Sequence, residues 1–217
     1  MTVVHQYGMF QSMVVMPIRN RAAERRESTR AEILEHAWAI ARERSLSELT
    51  LREIAQRMGM RPPSLYTHFA SKNAVIDAMF GEAWSEYLGT VQAARPRLPA
   101  DPRARLQALA LNFFEFAVVD PARFQLMNQR VVADFVPNAE SYAPAVEVLA
   151  LLAGDLADAG LPGQDERDLF VAIVGGLADA QLANDPGGDR WGRLLPRAID
   201  MYADAVGLPR PRSRRNP

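Results

Sequence analysis

The chain has 217 residues, 48% of them hydrophobic and 24% charged, which suits a soluble globular protein able to bury a substantial core. It has no cysteine, which excludes disulfide frameworks, thiolate catalysis and Cys-ligated zinc; its three histidines, His5, His36 and His68, are scattered without metal-ligand spacing, so no metal site and no cofactor is expected. Net charge is −1, but it is unevenly spread: residues 17–82 carry a net +2, residues 83–209 a net −7, and the stretch from Arg210 onward adds four arginines. A mildly basic head on an acidic body points to two tasks in one chain.

Residues 1–20 read as a flexible N-terminal extension. Their apolar stretch precedes its basic cluster instead of following one, so it is not a secretory signal, and no run approaches the length of a membrane span. A cytoplasmic location with no membrane partner is expected. Proline, glycine and capping residues then divide the chain into about nine helices, with no sustained period-two alternation. Thr29 with Glu32 reads as a capping box opening the first helix, and Thr50 with Glu53 as a second. Pro62 stands where a third helix would begin and run to about Phe69, and Ser71 caps a long fourth helix reaching about Ala94. Asp101-Pro102 and Asp120-Pro121 are two further start signals. Val136-Pro137-Asn138 breaks the chain, a helix ends near Gly160, and the last two run from about Gln164 to Asn184 and from about Arg190 to Val206. The arginine-rich segment 209–217 reads as a disordered basic tail.

Leu51 to Lys72 reads LREIAQRMGMRPPSLYTHFASK. Ala55 is small where two helices must cross, and Gly59, four residues on, can take the left-handed conformation that a tight turn needs. Ile54, Met60 and Leu65 would hold the second helix on the first. A small residue followed four positions later by glycine is a weak signal alone; the proline start and the polar-aromatic exit strengthen it. The segment resembles the tetracycline-repressor (TetR) family over residues 29–81, most specifically at Leu65-Tyr66-Thr67-His68-Phe69 with Ser71-Lys72, and at Ile33-Leu34, Ala37, Ile54-Ala55 and Gly59. It departs from that pattern at Ser45, where a glycine commonly ends the first helix, and at Pro62-Pro63, which leaves fewer side chains to read bases.

The resemblance implies an all-α protein with a three-helix helix-turn-helix DNA-binding domain over 21–81 and a helical effector-binding and dimerisation domain over 82–208. The expected partners are double-stranded operator DNA, a small-molecule effector and a second copy of the chain. Arg61 is the best candidate for a guanine contact, with a plain phosphate contact as the alternative. Pro62 and Pro63 offer apolar surface for a thymine methyl, and Ser64 and Thr67 can donate or accept. Tyr66, His68, Thr50 and Lys72 are candidates for phosphate, Lys72 at the positive end of the fourth helix.

In the body, Trp84, Leu88, Asn112, Phe113, Phe116, Met127 and Asn128 are candidate effector residues, although aromatics at helical spacing are more often plain core. Gly175, Gly176 and Trp191 are candidate dimer-interface residues, since two adjacent glycines inside a helix are offset by close approach of another helix, from a second subunit or from the same chain. The acidic body favours neutral or cationic effectors. No nucleophile–base pair, carboxylate pair or phosphate loop stands out, so no enzyme is expected. Two readings remain: a repressor released from DNA by an apolar or amphipathic effector, and a DNA-binding regulator whose body only dimerises.

Overall fold

The computed structural model describes residues 21–210, all helix, turn and loop with no strand among them. The N-terminal extension and the tail beyond Arg210 lie outside the described residues. The helices are α1 Arg21–Glu43, α2 Leu51–Arg57, α3 Pro62–Leu65, α4 Lys72–Ala94, α5 Pro102–Val119, α6 Pro121–Asn128, α7 Ala139–Asp158, α8 Gln164–Asn184 and α9 Leu195–Ala205.

Side-chain caps set most of the starts. Thr50, Ser71, Asp101, Asp120 and Asn138 each accept a hydrogen bond from the backbone N–H three residues on, satisfying a donor that has no partner within its own helix. Three expected boundaries differ. α9 begins at Leu195 instead of about Arg190, because Gln181 and Asp185 hold the N–H groups of residues 190–192 in a turn before it. Thr29 opens nothing: α1 is already helical at Arg21, and the Thr29 hydroxyl donates to the Arg25 carbonyl at 3.0 Å from inside the helix. The intervening Ala, Glu and Arg residues are strong helix formers and carry the helix through. α3 is a single turn that ends at Leu65 instead of Phe69; Thr67, His68 and Phe69 continue as turns, their N–H groups bonding to the Ser64 and Leu65 carbonyls.

α4 is the axis of the molecule. It packs on α1 in the head and on α5, α6 and α7 in the body, most extensively on α7. One core cluster follows it without interruption, from Ile33, Ile54, Leu65 and Phe69 through Met79 and Trp84 to Tyr87, Val91 and Val148. The 81/82 domain boundary therefore falls within one helix and one core. A second cluster joins α5, α8 and α9 through Leu106, Phe170, Val174, Ile199 and Tyr202. Arg103, buried at 6% exposure, ties down the C-terminal end: it donates to the Asp204 carboxylate at 2.6 Å and to the Leu208 and Pro209 carbonyls.

Candidate nucleic-acid interface and body cavity

In the head, α2 and α3 meet as a helix-turn-helix. Ala55 is fully buried at the crossing, and Gly59 sits at φ +64°, in the left-handed region where a side chain is strained. The Met60 N–H reaches back to the Ala55 carbonyl at 2.8 Å, closing the turn. Ile54 and Leu65 are fully buried, and Met60 packs half-buried beside them.

Burying Leu65 turns the rest of α3 outward. Arg61, Pro62, Pro63, Ser64, Tyr66 and Thr67 are all exposed, as is Thr50 at the start of α2. Pro62 lies at the first position of α3, with Arg61 as its cap residue in extended conformation. His68 is half-buried, and its Nδ1 has no hydrogen-bond partner among the described residues. Lys72 begins α4, and its ammonium donates to the Ser47 carbonyl at 2.7 Å, which leaves two of its three N–H groups available.

Two arginines of α1 support this surface from behind, and sequence reasoning did not single them out. Arg30 donates to the His68 carbonyl at 2.6 Å and stacks over the Phe69 ring at 4.0 Å, while Arg26 reaches the Thr67 carbonyl at 3.4 Å. Their spacing of four residues on one helix was the available signal.

In the body, a cavity of about 100 Å³ lies among α4, α5, α6, α7 and α8. Its wall includes Trp84, Tyr87 and Val91 of α4, Leu109 and Phe113 of α5, Asn128, Val148 to Asp155 of α7, and Phe170, Val174 and Gly175 of α8. Trp84, Phe113 and Asn128 are thus brought together, whereas Leu88, Asn112, Phe116 and Met127 lie off this wall. Phe116 instead packs on Tyr87, with ring centroids 4.9 Å apart, and lies under the Arg123 guanidinium. Met127 borders a second hollow of about 210 Å³ beneath residues 129–137, and Asn128 lines both.

Tyr87, Leu109, Asp155 and Phe170 were missed, because nothing short of the three-dimensional packing marks which core residues leave a gap. Burial pushes the Tyr87 hydroxyl well above the usual phenol range. The Trp84 indole N–H is buried without an acceptor among the described residues.

Gly175 faces the cavity and Gly176 is exposed; a Cβ added to either would meet nothing within 4 Å, so neither glycine marks an intrachain crossing. Trp191 is half-buried in the turn after α8, where buried Gln181 accepts from the Trp191 and Gly192 N–H groups at 2.8 and 3.2 Å. Asp185 holds the same turn: the Arg190 N–H and the Gln181 amide lower its carboxyl below the usual range. Among the described residues no helix is long and apolar enough to cross a membrane, and no acidic or histidine cluster is arranged to hold a metal.

A positive-φ turn glycine, a one-turn exposed helix and a long helix leading into a helical body define a helix-turn-helix DNA-binding protein. Residues 33–79 match the family model described as "Bacterial regulatory proteins, tetR family". The chain is 26% identical to the class A tetracycline repressor of transposon 1721 from Escherichia coli over 185 residues, 80% of each chain. It is 28% identical to the transcriptional regulator TtgR of Pseudomonas putida over 195 residues, 85% of this chain and 89% of that one. The crystal structure of the regulator FadR from Bacillus subtilis in complex with stearoyl-CoA shares the fold, with a TM-score of 0.60 at 15% identity, covering 79% of this chain and 96% of that one. Residues 33–79 thus form a DNA-binding head of the tetR type, and the chain resembles TetR-family transcriptional regulators along most of its length.

Proposed function

We propose that this protein is a repressor, working as a homodimer on operator DNA and released by a small apolar or amphipathic effector held in the body. The observation that carries this reading is the continuity of α4. One unbroken helix starts at Lys72 on the exposed head surface and presents Trp84, Tyr87 and Val91 to the cavity. A ligand acting on those side chains acts on the helix that carries the head. At about 100 Å³ the cavity is smaller than the roughly 300–1,000 Å³ of typical ligand sites, so an effector larger than a single ring must spread its walls. The unsatisfied Trp84 N–H favours such a rearrangement, because an orphaned buried donor costs about 1–3 kcal/mol. A relative named as a tetracycline repressor and a neighbour of the same fold solved with stearoyl-CoA support a response to a small molecule.

On DNA, Arg61 reads a base edge from the major groove, with Pro62, Pro63, Ser64 and Thr67 beside it. Tyr66, His68, Thr50 and Lys72 bind phosphates. The outward face of α8, with Leu169 and Gly176 exposed, and that of α9, with Met201 exposed and Leu194 exposed just before its start, form the dimer contact with Trp191 nearby. Half-site centres then lie about 34–36 Å apart or a multiple of it.

The test begins with operators selected by the protein from a random duplex library. Solution mass at micromolar concentration follows, and then titration of the operator complex with compounds that raise the protein's melting temperature. A twofold-symmetric site and release by at least one such compound are expected. A strict monomer, or a body that binds tightly without changing operator affinity, overturns the reading. No binding across chemically diverse panels moves it to a regulator whose body only dimerises.

A further inference from the structure

Asp155 is the one charged residue on the wall of the α4–α8 cavity, and it is only 1% exposed. It is held by two arginines from different elements. Its Oδ1 accepts from Arg105 Nε and Nη2 at 2.9 and 2.6 Å and from Arg95 Nη2 at 3.2 Å; its Oδ2 accepts only from Arg95 Nη1, at 2.9 Å. Arg105 belongs to α5. Arg95 is the residue that caps the C-terminus of α4. The cavity's only carboxylate is therefore fastened to the far end of the helix whose first residue is Lys72.

Resting on the proposed effector site, we propose that Asp155 is its polar anchor and that the effector is an uncharged, slender, largely apolar molecule bearing a hydroxyl group, a phenol or an alcohol. Two guanidinium groups around one carboxylate leave a local charge of +1, which disfavours an ammonium group whatever the acidic total of the body. The rest of the wall is aliphatic and aromatic apart from Asn128, the Tyr87 hydroxyl and the Trp84 indole N–H. Oδ2, with a single donor, retains capacity for one more, and a neutral hydroxyl supplies it. A phenol gains further, because the two arginines favour the partial negative charge on its oxygen. The wall spans residues 84–91 of α4 and 148–155 of α7, seven steps on each, or about 10 Å at 1.5 Å per residue. A hydroxyl at the Asp155 end shares Oδ2 with Arg95 and so draws charge from that pair and weakens it. Loosening that pair releases the C-terminal end of α4, which makes Arg95 the positioning residue that transmits occupancy to the head.

The experiment compares p-cresol, toluene and benzylammonium on the full chain, read by quenching of tryptophan fluorescence, with operator affinity measured in parallel on a selected duplex. p-Cresol should bind at least tenfold tighter than toluene, and benzylammonium no tighter than toluene. Asp155→Asn should reduce the p-cresol preference to within about threefold while leaving toluene binding unchanged. Arg95→Gln keeps the Asp155–Arg105 pair and serves as the second variant should the first fail to fold. It should bind p-cresol with undiminished affinity yet lose most of the ligand's effect on operator binding. Toluene binding as tightly as p-cresol, benzylammonium binding tightest, or unaltered coupling in Arg95→Gln would overturn the anchor while leaving the effector cavity standing. Binding of none of the three probes sinks the cavity reading and the anchor with it.

Discussion

The head and the body build their sites in opposite ways. The head's surface comes from about twenty consecutive residues, Thr50 to Lys72. It is convex and exposed, and it is shaped mainly by local devices, a threonine cap, a positive-φ glycine, a proline at the first helical position and one buried leucine, with Arg26 and Arg30 of α1 as its long-range support. The body's cavity is concave and gathers its wall from five helices spread over residues 84–175, with a buried carboxylate bonded across sixty residues to Arg95. A short-range site holds its geometry when the remainder of the molecule shifts, whereas a site made of long-range contacts changes whenever its helices do. One helix, α4, belongs to both. A rigid reader can thus be repositioned by an adjustable body without being remodelled.

The sharpest way to break this comparison is to hollow out the head. Leu65 is fully buried and is the one residue of α3 that anchors it. Leu65→Ala should cost about 2–5 kcal/mol of stability, by lost burial and the cavity left behind. Chemical denaturation measures the cost, and selective loss of operator binding should accompany it. Unchanged operator affinity in a folded Leu65→Ala protein would mean that α3 does not depend on that anchor.

Next in size is Arg61→Ala, expected to cost about 1–3 kcal/mol on the selected operator and to relax preference at one base position. Arg61 is exposed and caps a helix without using its side chain, so its removal leaves the fold intact. Equal weakening on selected and random duplexes would make Arg61 a phosphate contact.

These positions also show what the sequence could reveal. Caps and turns depend on neighbours within four residues, so Thr50, Ser71, Asp101, Asp120 and the Gly59 turn were legible as residue types. The start of α1 was misplaced because Thr29 has a cap's chemistry but sits where strong helix formers have already committed the backbone. α3 was overestimated because the Tyr66–Phe69 turns keep helix-like hydrogen bonds while leaving the helix. In the body, Trp84, Phe113 and Asn128 were found, but Phe116 and Met127 carry the same apolar signal and pack elsewhere. Which aromatic borders a gap depends on how α4, α7 and α8 cross. Asp155 carried no local signal, because its two arginines lie fifty and sixty residues away.

A smaller effect is expected from Lys72→Ala. Its ammonium already bonds to the Ser47 carbonyl, so the substitution removes a loop contact together with a phosphate contact. Binding should weaken similarly on all duplexes, and the slope of log affinity against log salt should fall by about 1. A change in sequence preference would show that the loop before α2 positions the reading surface as well as supporting it.

The smallest effect tests the long-range character of the body at its C-terminal end. Hydrogen bonds from Arg210 and then Arg103 hold the Asp204 carboxyl down at about 2, with burial opposing them. A carboxylate whose folded value lies below its unfolded value of about 3.9 stabilises the fold above that unfolded value, and the contribution disappears as pH falls toward the folded one. Wild type should therefore melt above Asp204→Asn by a constant margin at neutral pH. The margin should shrink between about pH 4 and pH 2. Added salt should narrow it as well, since Arg210 is largely exposed and its share of the attraction is screened. The Arg103 share should survive salt better, because that guanidinium is buried and still bonds to the Leu208 and Pro209 carbonyls. A margin that is flat with pH would show that Arg103 and the two carbonyls close the C-terminus without needing the charge on Asp204.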